Sequence, residues 1–164
     1  MSESSNSLVV GKAVPDFEAP ATSGLNFKLS DYKGKSNLVI YFYPKDSTPG
    51  CTTEGQDFRD LHEEFKSHDT EILGVSKDSM KRHDNFKTKQ GFTFELISDE
   101  GTDEDKGVCE HFNVWQLKKM YGKEYMGIVR STFLIDKDGI LREHWDKVRV
   151  KGHVAEVLEA VKSL

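Results

Sequence analysis

Leu38-Val39-Ile40-Tyr41-Phe42-Tyr43 constrains the fold more than any other segment of this chain. An unbroken run of aliphatic and aromatic residues, with no polar alternation, suits a strand covered on both faces. Such strands lie in the middle of sheets that carry helices above and below. Pro44 ends the run, and Lys45-Asp46-Ser47-Thr48-Pro49-Gly50 is a loop by composition. Phe58, Leu61 and Phe65 then recur at helical spacing, with Glu54, Asp57, Asp60 and Glu63 on other faces. Glu71 to Ser76 reads as a second strand. Ser79 is placed to cap a polar helix that ends at Gly91, and Phe94 to Ile97 reads as a third strand.

The second half is less regular. An acidic loop from Asp99 to Asp105 leads to a short helix holding Val108, Cys109 and Phe112. Gln116 to Gly127 reads as an irregular, aromatic-rich stretch with Tyr121, Tyr125 and Met126. Thr132 to Ile135 and Ile140 to Trp145 read as two strands joined by Asp136-Lys137-Asp138-Gly139, whose Asp-Gly step is a hairpin signal. Val154, Val157, Leu158 and Val161 mark a closing amphipathic helix, and Pro15 and Pro20 bracket an extended lead-in near the start. Strand-helix units followed by a hairpin and a helix predict an α/β chain with a thioredoxin-like fold, a central mixed sheet flanked by helices.

Composition narrows the function. The chain has 164 residues, no internal repeat and no linker, which suits one domain able to build a core without disulfides. A net charge of -5 excludes the basic face of a nucleic-acid binder. No apolar run is long enough to span a membrane. The Ser-rich residues 1–7 lack the basic start and apolar stretch of a secretory signal and read as a flexible segment before a domain at 8–164. Cys51 and Cys109, 58 positions apart, make no disulfide framework and fit a reducing cytoplasm. Gly34-Lys35-Ser36 lacks the glycine of a phosphate loop, because Leu29 stands five positions before Gly34. His62-Glu63 begins like a zinc helix, but position 66 is Lys, and His68, His83, His111, His144 and His153 are scattered. The Asp99–Asp105 loop has Gly101 and Glu104 where a calcium loop wants a ligand and a glycine, so it reads as a solvated acidic loop. No metal or cofactor is expected.

Cys51 survives this elimination. It follows a buried strand and a Pro-Gly turn and opens the helix of Phe58 and Phe65. Unpaired N–H groups and the helix dipole at a first turn favour a thiolate over a thiol. Thr48-Pro49-Gly50-Cys51 occupies the place of a Cys-x-x-Cys pair, so no dithiol cycle runs within it. The Thr48 hydroxyl is spaced to bond the thiolate or a bound oxygen.

Pro44-x-x-x-Thr48-x-x-Cys51 resembles the peroxiredoxin signature, and the fourteen residues Tyr41 to Glu54 resemble its Q-type branch, also called bacterioferritin comigratory protein. Gly11 to Phe17, Val114-Trp115, Tyr121 to Gly127 and Arg130 to Asp136 resemble further family segments, so the likeness runs from about residue 8 to the end. It implies a thiol-dependent peroxidase acting on hydrogen peroxide and organic hydroperoxides. Cys51 would attack a peroxide oxygen and become a sulfenic acid. Arg130, the Thr48 hydroxyl and the Cys51 N–H would stabilise the leaving oxygen, and Pro44 would screen the sulfur from water. Arg130 as an ordinary surface residue and Thr48 as a turn residue are the plainer readings. Glu54 reads as a first-turn acid that complements the helix dipole rather than as a catalytic group, and Tyr43 and Trp115 read as core.

The chain departs from the pattern in its second thiol. Many Q-type members carry a resolving cysteine five positions after the first; here that position is Gln56. Others place it on the following helix, and Ser79 to Gln90 has none. Cys109 shares a stripe with Val108 and Phe112 and reads as core, which predicts a one-cysteine cycle recycled by thioredoxin, glutaredoxin with glutathione, or a small thiol. A resolving Cys109 is the alternative; it would require helix unwinding to bring Cα atoms within about 7 Å. The rival functions are a thiol–disulfide oxidoreductase, disfavoured by Thr48, and a holdase module on the same fold, disfavoured by the intact set of Thr48, Cys51 and Arg130. The absence of an arm beyond the last helix argues against the large decameric forms of other peroxiredoxin branches, and a monomer is expected, with a dimer next.

Overall fold

The computed structural model describes residues 8–100 and 107–164. The segment 1–7 and most of the acidic loop, with their expected flexibility and solvation, lie outside the described residues.

The apolar run forms β3 (Asn37–Phe42), and every residue of it is buried. It sits at the centre of a five-stranded sheet of order β5-β4-β3-β8-β9, with β4 at Thr70–Ser76, β5 at Glu95–Ser98, β8 at Ser131–Ile135 and β9 at Leu141–Trp145. The pairs β3–β4 and β4–β5 are parallel, while β3–β8 and β8–β9 are antiparallel, so the sheet is mixed. Successive strand residues point to opposite faces, and β3 therefore feeds two cores. Leu38, Ile40 and Phe42 pack with Phe27, Phe112 and Phe133 on one face. Val39, Tyr41 and Tyr43 pack on the other face, against α1 (Pro49–Ser67), α2 (Met80–Gln90) and α4 (His153–Lys162) through Phe58, Phe86 and Val157. Each such side chain contributes about 1.5–3 kcal/mol by leaving water. This is the expected thioredoxin-like α/β fold.

Local signals set the element ends. Pro49 begins α1, where its missing N–H costs nothing. The Ser79 hydroxyl accepts from Arg82 N at 3.2 Å, and Gly91 closes α2 at φ 66°. Gly55 lets α1 lie flat on Phe92, whose ring would be 2.3 Å from a Cβ there. The short helix α3 (Val108–His111) is capped by Asp99, which accepts from Val108 N and Cys109 N, both at 2.8 Å.

Gln116 to Gly127 is not irregular: it lies within a hairpin of β6 (Trp115–Met120) and β7 (Lys123–Ile128), with Leu117 opposite Met126. Tyr121 and Gly122 turn it at φ 53° and 79°, the left-handed pair of a tight two-residue turn. A second small pair, β1 (Glu18–Pro20) with β2 (Asn26–Lys28), occupies the lead-in region.

Candidate active site

Cys51 lies in the first turn of α1, just past the C-terminal end of β3. Thr52 N donates to Thr48 O at 2.8 Å, the first bond of the helix, which leaves the Cys51 N–H ahead of the ladder. The side chain is nearly covered, at 2% exposure, within the cluster that holds Tyr41, Tyr43 and Phe58. Pro44, expected to screen the sulfur, is itself exposed at the rim.

Arg130 arrives from the far side of the sheet sequence, between β7 and β8. Its Nη2 donates to Cys51 Sγ at 3.4 Å, and its Nη1 donates to Glu54 Oε1 at 2.6 Å. Gly50 makes this approach feasible, since a Cβ there would sit 3.2 Å from Nη2. The guanidinium and the helix N-terminus both place positive charge beside the sulfur. The plainer reading of Arg130 as a surface residue is thus replaced by a directed, largely covered contact.

Two expectations change. Glu54 is not a first-turn acid serving the helix dipole: it lies beyond the first turn, fully buried and ion-paired to Arg130. Burial outweighs the pull of Arg130 and raises its carboxyl to about 7, and its Oε2 has no hydrogen-bond partner among the described residues. The Thr48 hydroxyl donates to Lys45 O at 2.8 Å, which engages its hydrogen and leaves its lone pairs as the part able to bond a further group.

Cys109 is fully buried in the opposite core from Cys51, with Phe112 and Phe133, and burial followed by Asp99 pushes its thiol far above the ordinary range. The two cysteines are free and separated by the sheet. Tyr43 is core, and half-buried Trp115 packs against the core under Lys77 Nζ, 4.8 Å from its ring centre.

Spacing missed a buried network behind the loop. His83, fully buried on α2, contacts Asp46 Oδ2 through Nδ1 at 2.7 Å and donates from Nε2 to Ile97 O at 2.9 Å. Tyr43 OH donates to Asp46 Oδ1 at 2.6 Å, and Asp46 N donates to Asp78 Oδ2 at 2.8 Å. Ligand atoms of Asp46, Asp78 and His83 lie within 4.8 Å of one another. They are already matched to protein partners, which makes the cluster an anchor for the loop of Thr48. Asp46 within a loop before a cysteine was the available signal, but its partner lies 37 residues away.

Residues 10–144 match the model of the AhpC/TSA family. Peroxiredoxin Bcp of Bacillus subtilis is 56% identical over 155 residues, covering 94% of this chain and 96% of that one. Peroxiredoxin Q of Xanthomonas campestris superposes with a TM-score of 0.84 at 49% identity, covering 95% and 96%. A second Xanthomonas campestris structure, of a bacterioferritin comigratory protein described for alkyl peroxide reduction, has a TM-score of 0.85 at 48% identity and covers 95% of each chain. Fold and relatives together define a thiol-dependent peroxidase, an oxidoreductase with a redox-active cysteine on a thioredoxin-like scaffold. The chain belongs to the AhpC/TSA family and, within it, to the Q-type or Bcp peroxiredoxins. Among the described residues no helix is long and apolar enough to cross a membrane.

Proposed function

We propose that Cys51 is the peroxidatic cysteine of a one-cysteine cycle acting on hydrogen peroxide and organic hydroperoxides. The observation that carries this is the Arg130 guanidinium, held by Glu54 with its second nitrogen 3.4 Å from Sγ. The Cys51 thiolate attacks one peroxide oxygen; the S–O bond forms as the O–O bond breaks. Sulfur is oxidised to a sulfenic acid, and the other oxygen leaves as hydroxide or alkoxide, which takes up the proton that the Cys51 thiol released on ionising and departs as water or an alcohol. Charge grows on that leaving oxygen, where Arg130 and the Cys51 N–H are placed to meet it. Thr48 accepts from the peroxide O–H and orients it, and Pro44 forms the rim. The alkyl peroxide activity described for the Xanthomonas campestris relative supports the organic substrates.

The sulfenic acid is then reduced from outside. A thiol attacks its sulfur and expels water, and a second thiol releases Cys51 from the mixed disulfide. Thioredoxin is the proposed donor, with glutaredoxin and glutathione as alternatives, in a cytoplasmic, monomeric enzyme. The position of Cys109 across the sheet favours this route over an internal disulfide.

Intact mass after one equivalent of hydrogen peroxide, quenched with a sulfenic-acid trap and an alkylator, tests the cycle. A trapped Cys51 with an alkylated Cys109 is the expected result; loss of two hydrogens mapped to a Cys51–Cys109 bond would establish the two-cysteine alternative. Cys51→Ser abolishes peroxide turnover. Cys109→Ser keeps at least about half of it with a small-thiol reductant, since a buried, uncharged thiol makes no part of the reaction.

A further inference from the structure

The surface at the Cys51 end of the sheet is basic and apolar, in a chain whose net charge is -5. β8 begins with Ser131 opposite Phe42, so the β6–β7 hairpin leaves the molecule where β3 hands over to the Cys51 loop. Leu117 and Met126 face each other across the hairpin at 57% and 47% exposure, and Tyr121 at its tip is 96% exposed. The same face runs inward through the Trp115–Ile128 pair to the core, so these exposed side chains extend a packed layer. Contiguous apolar surface of this kind marks an interaction site.

Cations surround it. Lys118, Lys119 and Lys123 lie on the hairpin against one acid, Glu124. Lys147, Arg149 and Lys151 are exposed on the loop after β9 against one exposed acid, Asp146, and that loop is tied to the site by Val148 N donating to Arg130 O at 3.0 Å. A second copy of this chain fits poorly, because an isologous contact would set these cations against their equivalents. A tripeptide thiol has little use for the apolar surface of Leu117 and Met126 with Tyr121 at the tip, all exposed. The complementary face is apolar at its centre and acidic at its rim.

We infer that the β6–β7 hairpin, with the 147–151 loop beside it, docks an acidic-rimmed protein dithiol that reduces the Cys51 sulfenic acid. This rests on the one-cysteine cycle above. One partner thiol attacks the sulfenic sulfur and releases water; its second thiol then displaces Cys51, leaving the partner as a disulfide.

Peroxide turnover of the wild type, Leu117→Ser/Met126→Ser and Lys147→Glu/Arg149→Glu would be driven in parallel by an acidic thioredoxin with its reductase and by dithiothreitol. Each variant is expected to lose about tenfold in kcat/KM for thioredoxin, the size typical of an interface anchor. The wild-type thioredoxin rate should fall with added salt, and the Lys147→Glu/Arg149→Glu rate should fall less. Dithiothreitol turnover and the oxidation rate of Cys51 should stay at the wild-type level in both. Unchanged thioredoxin kinetics in both variants would overturn the docking surface, as would a wild type that accepts dithiothreitol but not thioredoxin. Equal losses with both reductants would also overturn it, by showing damage to the site rather than to docking. A Cys51–Cys109 disulfide, or no turnover with dithiothreitol, would instead overturn the cycle beneath it.

Discussion

Glu54 carries a carboxyl into the interior, three residues along α1 from Cys51, and among the described residues Arg130 is the group that pairs with it there. Raised from 4.5 to about 7, it binds a proton more readily folded than unfolded. Its contribution to stability is therefore complete below about 4.5 and is lost as pH rises through about 7. Across that window the effect is on the order of 3 kcal/mol. His153, lowered to about 4 by burial, slopes the other way, so a comparison of variants isolates Glu54. Urea unfolding at pH 5 and pH 8 should show Glu54→Gln gaining stability relative to wild type at the higher pH. A difference between the two proteins that does not change with pH would contradict this. Gly50→Ala should slow the reaction of Cys51 with peroxide about tenfold while leaving stability within about 1 kcal/mol, because a methyl there crowds Arg130 without filling a core; stopped-flow oxidation and urea unfolding check the pair. The sequence shows Glu54 as one more acid on a helix. Its burial is decided by an arginine 76 positions later, which no local pattern reports.

Among the elements, the loop before α1 is fastened to α2 through Asp46 and His83. His83→Phe leaves Asp46 buried with one partner fewer and should destabilise the fold by about 3 kcal/mol, as removal of one member of a buried pair does. Peroxide oxidation of Cys51 should slow with it, since the same loop carries Thr48; urea unfolding and stopped-flow fluorescence measure the two effects. β3, α1 and α2 were legible because burial on two faces, helical spacing and the Ser79 and Gly91 caps each leave a local mark. The hairpin of β6 and β7 was not. Its turn uses Tyr121 at a left-handed position where Asn or Asp is the usual signal, and both strands expose apolar side chains, so no alternation appears. β1 and β2, three residues each, are too short to show a period.

For the whole molecule the sheet is a partition. Cys51 belongs to the core under α1, α2 and α4, and Cys109 to the core under α3. A disulfide reagent should therefore label Cys51 of the native protein far faster than Cys109, whose labelling should follow the global unfolding rate and accelerate with urea. Comparable native rates for both thiols would show that the partition opens locally. The order of elements along the chain and the cysteine's place after the first long strand were readable from patterning, as was the burial of Cys109 through its stripe with Val108 and Phe112; the order of the strands in the sheet and the side of it that each thiol occupies were not, because both depend on pairings between distant segments. The partition also sets a timing problem. Under the one-cysteine reading, no neighbour inside the chain can quench the oxidised sulfur, so its fate is a race between two collisions. If a donor thiol arrives first, the enzyme is restored; if a second peroxide arrives first, the sulfur passes to the sulfinic state. The ratio of donor to oxidant in the surrounding solution, rather than any clock within the protein, then determines how long each molecule survives.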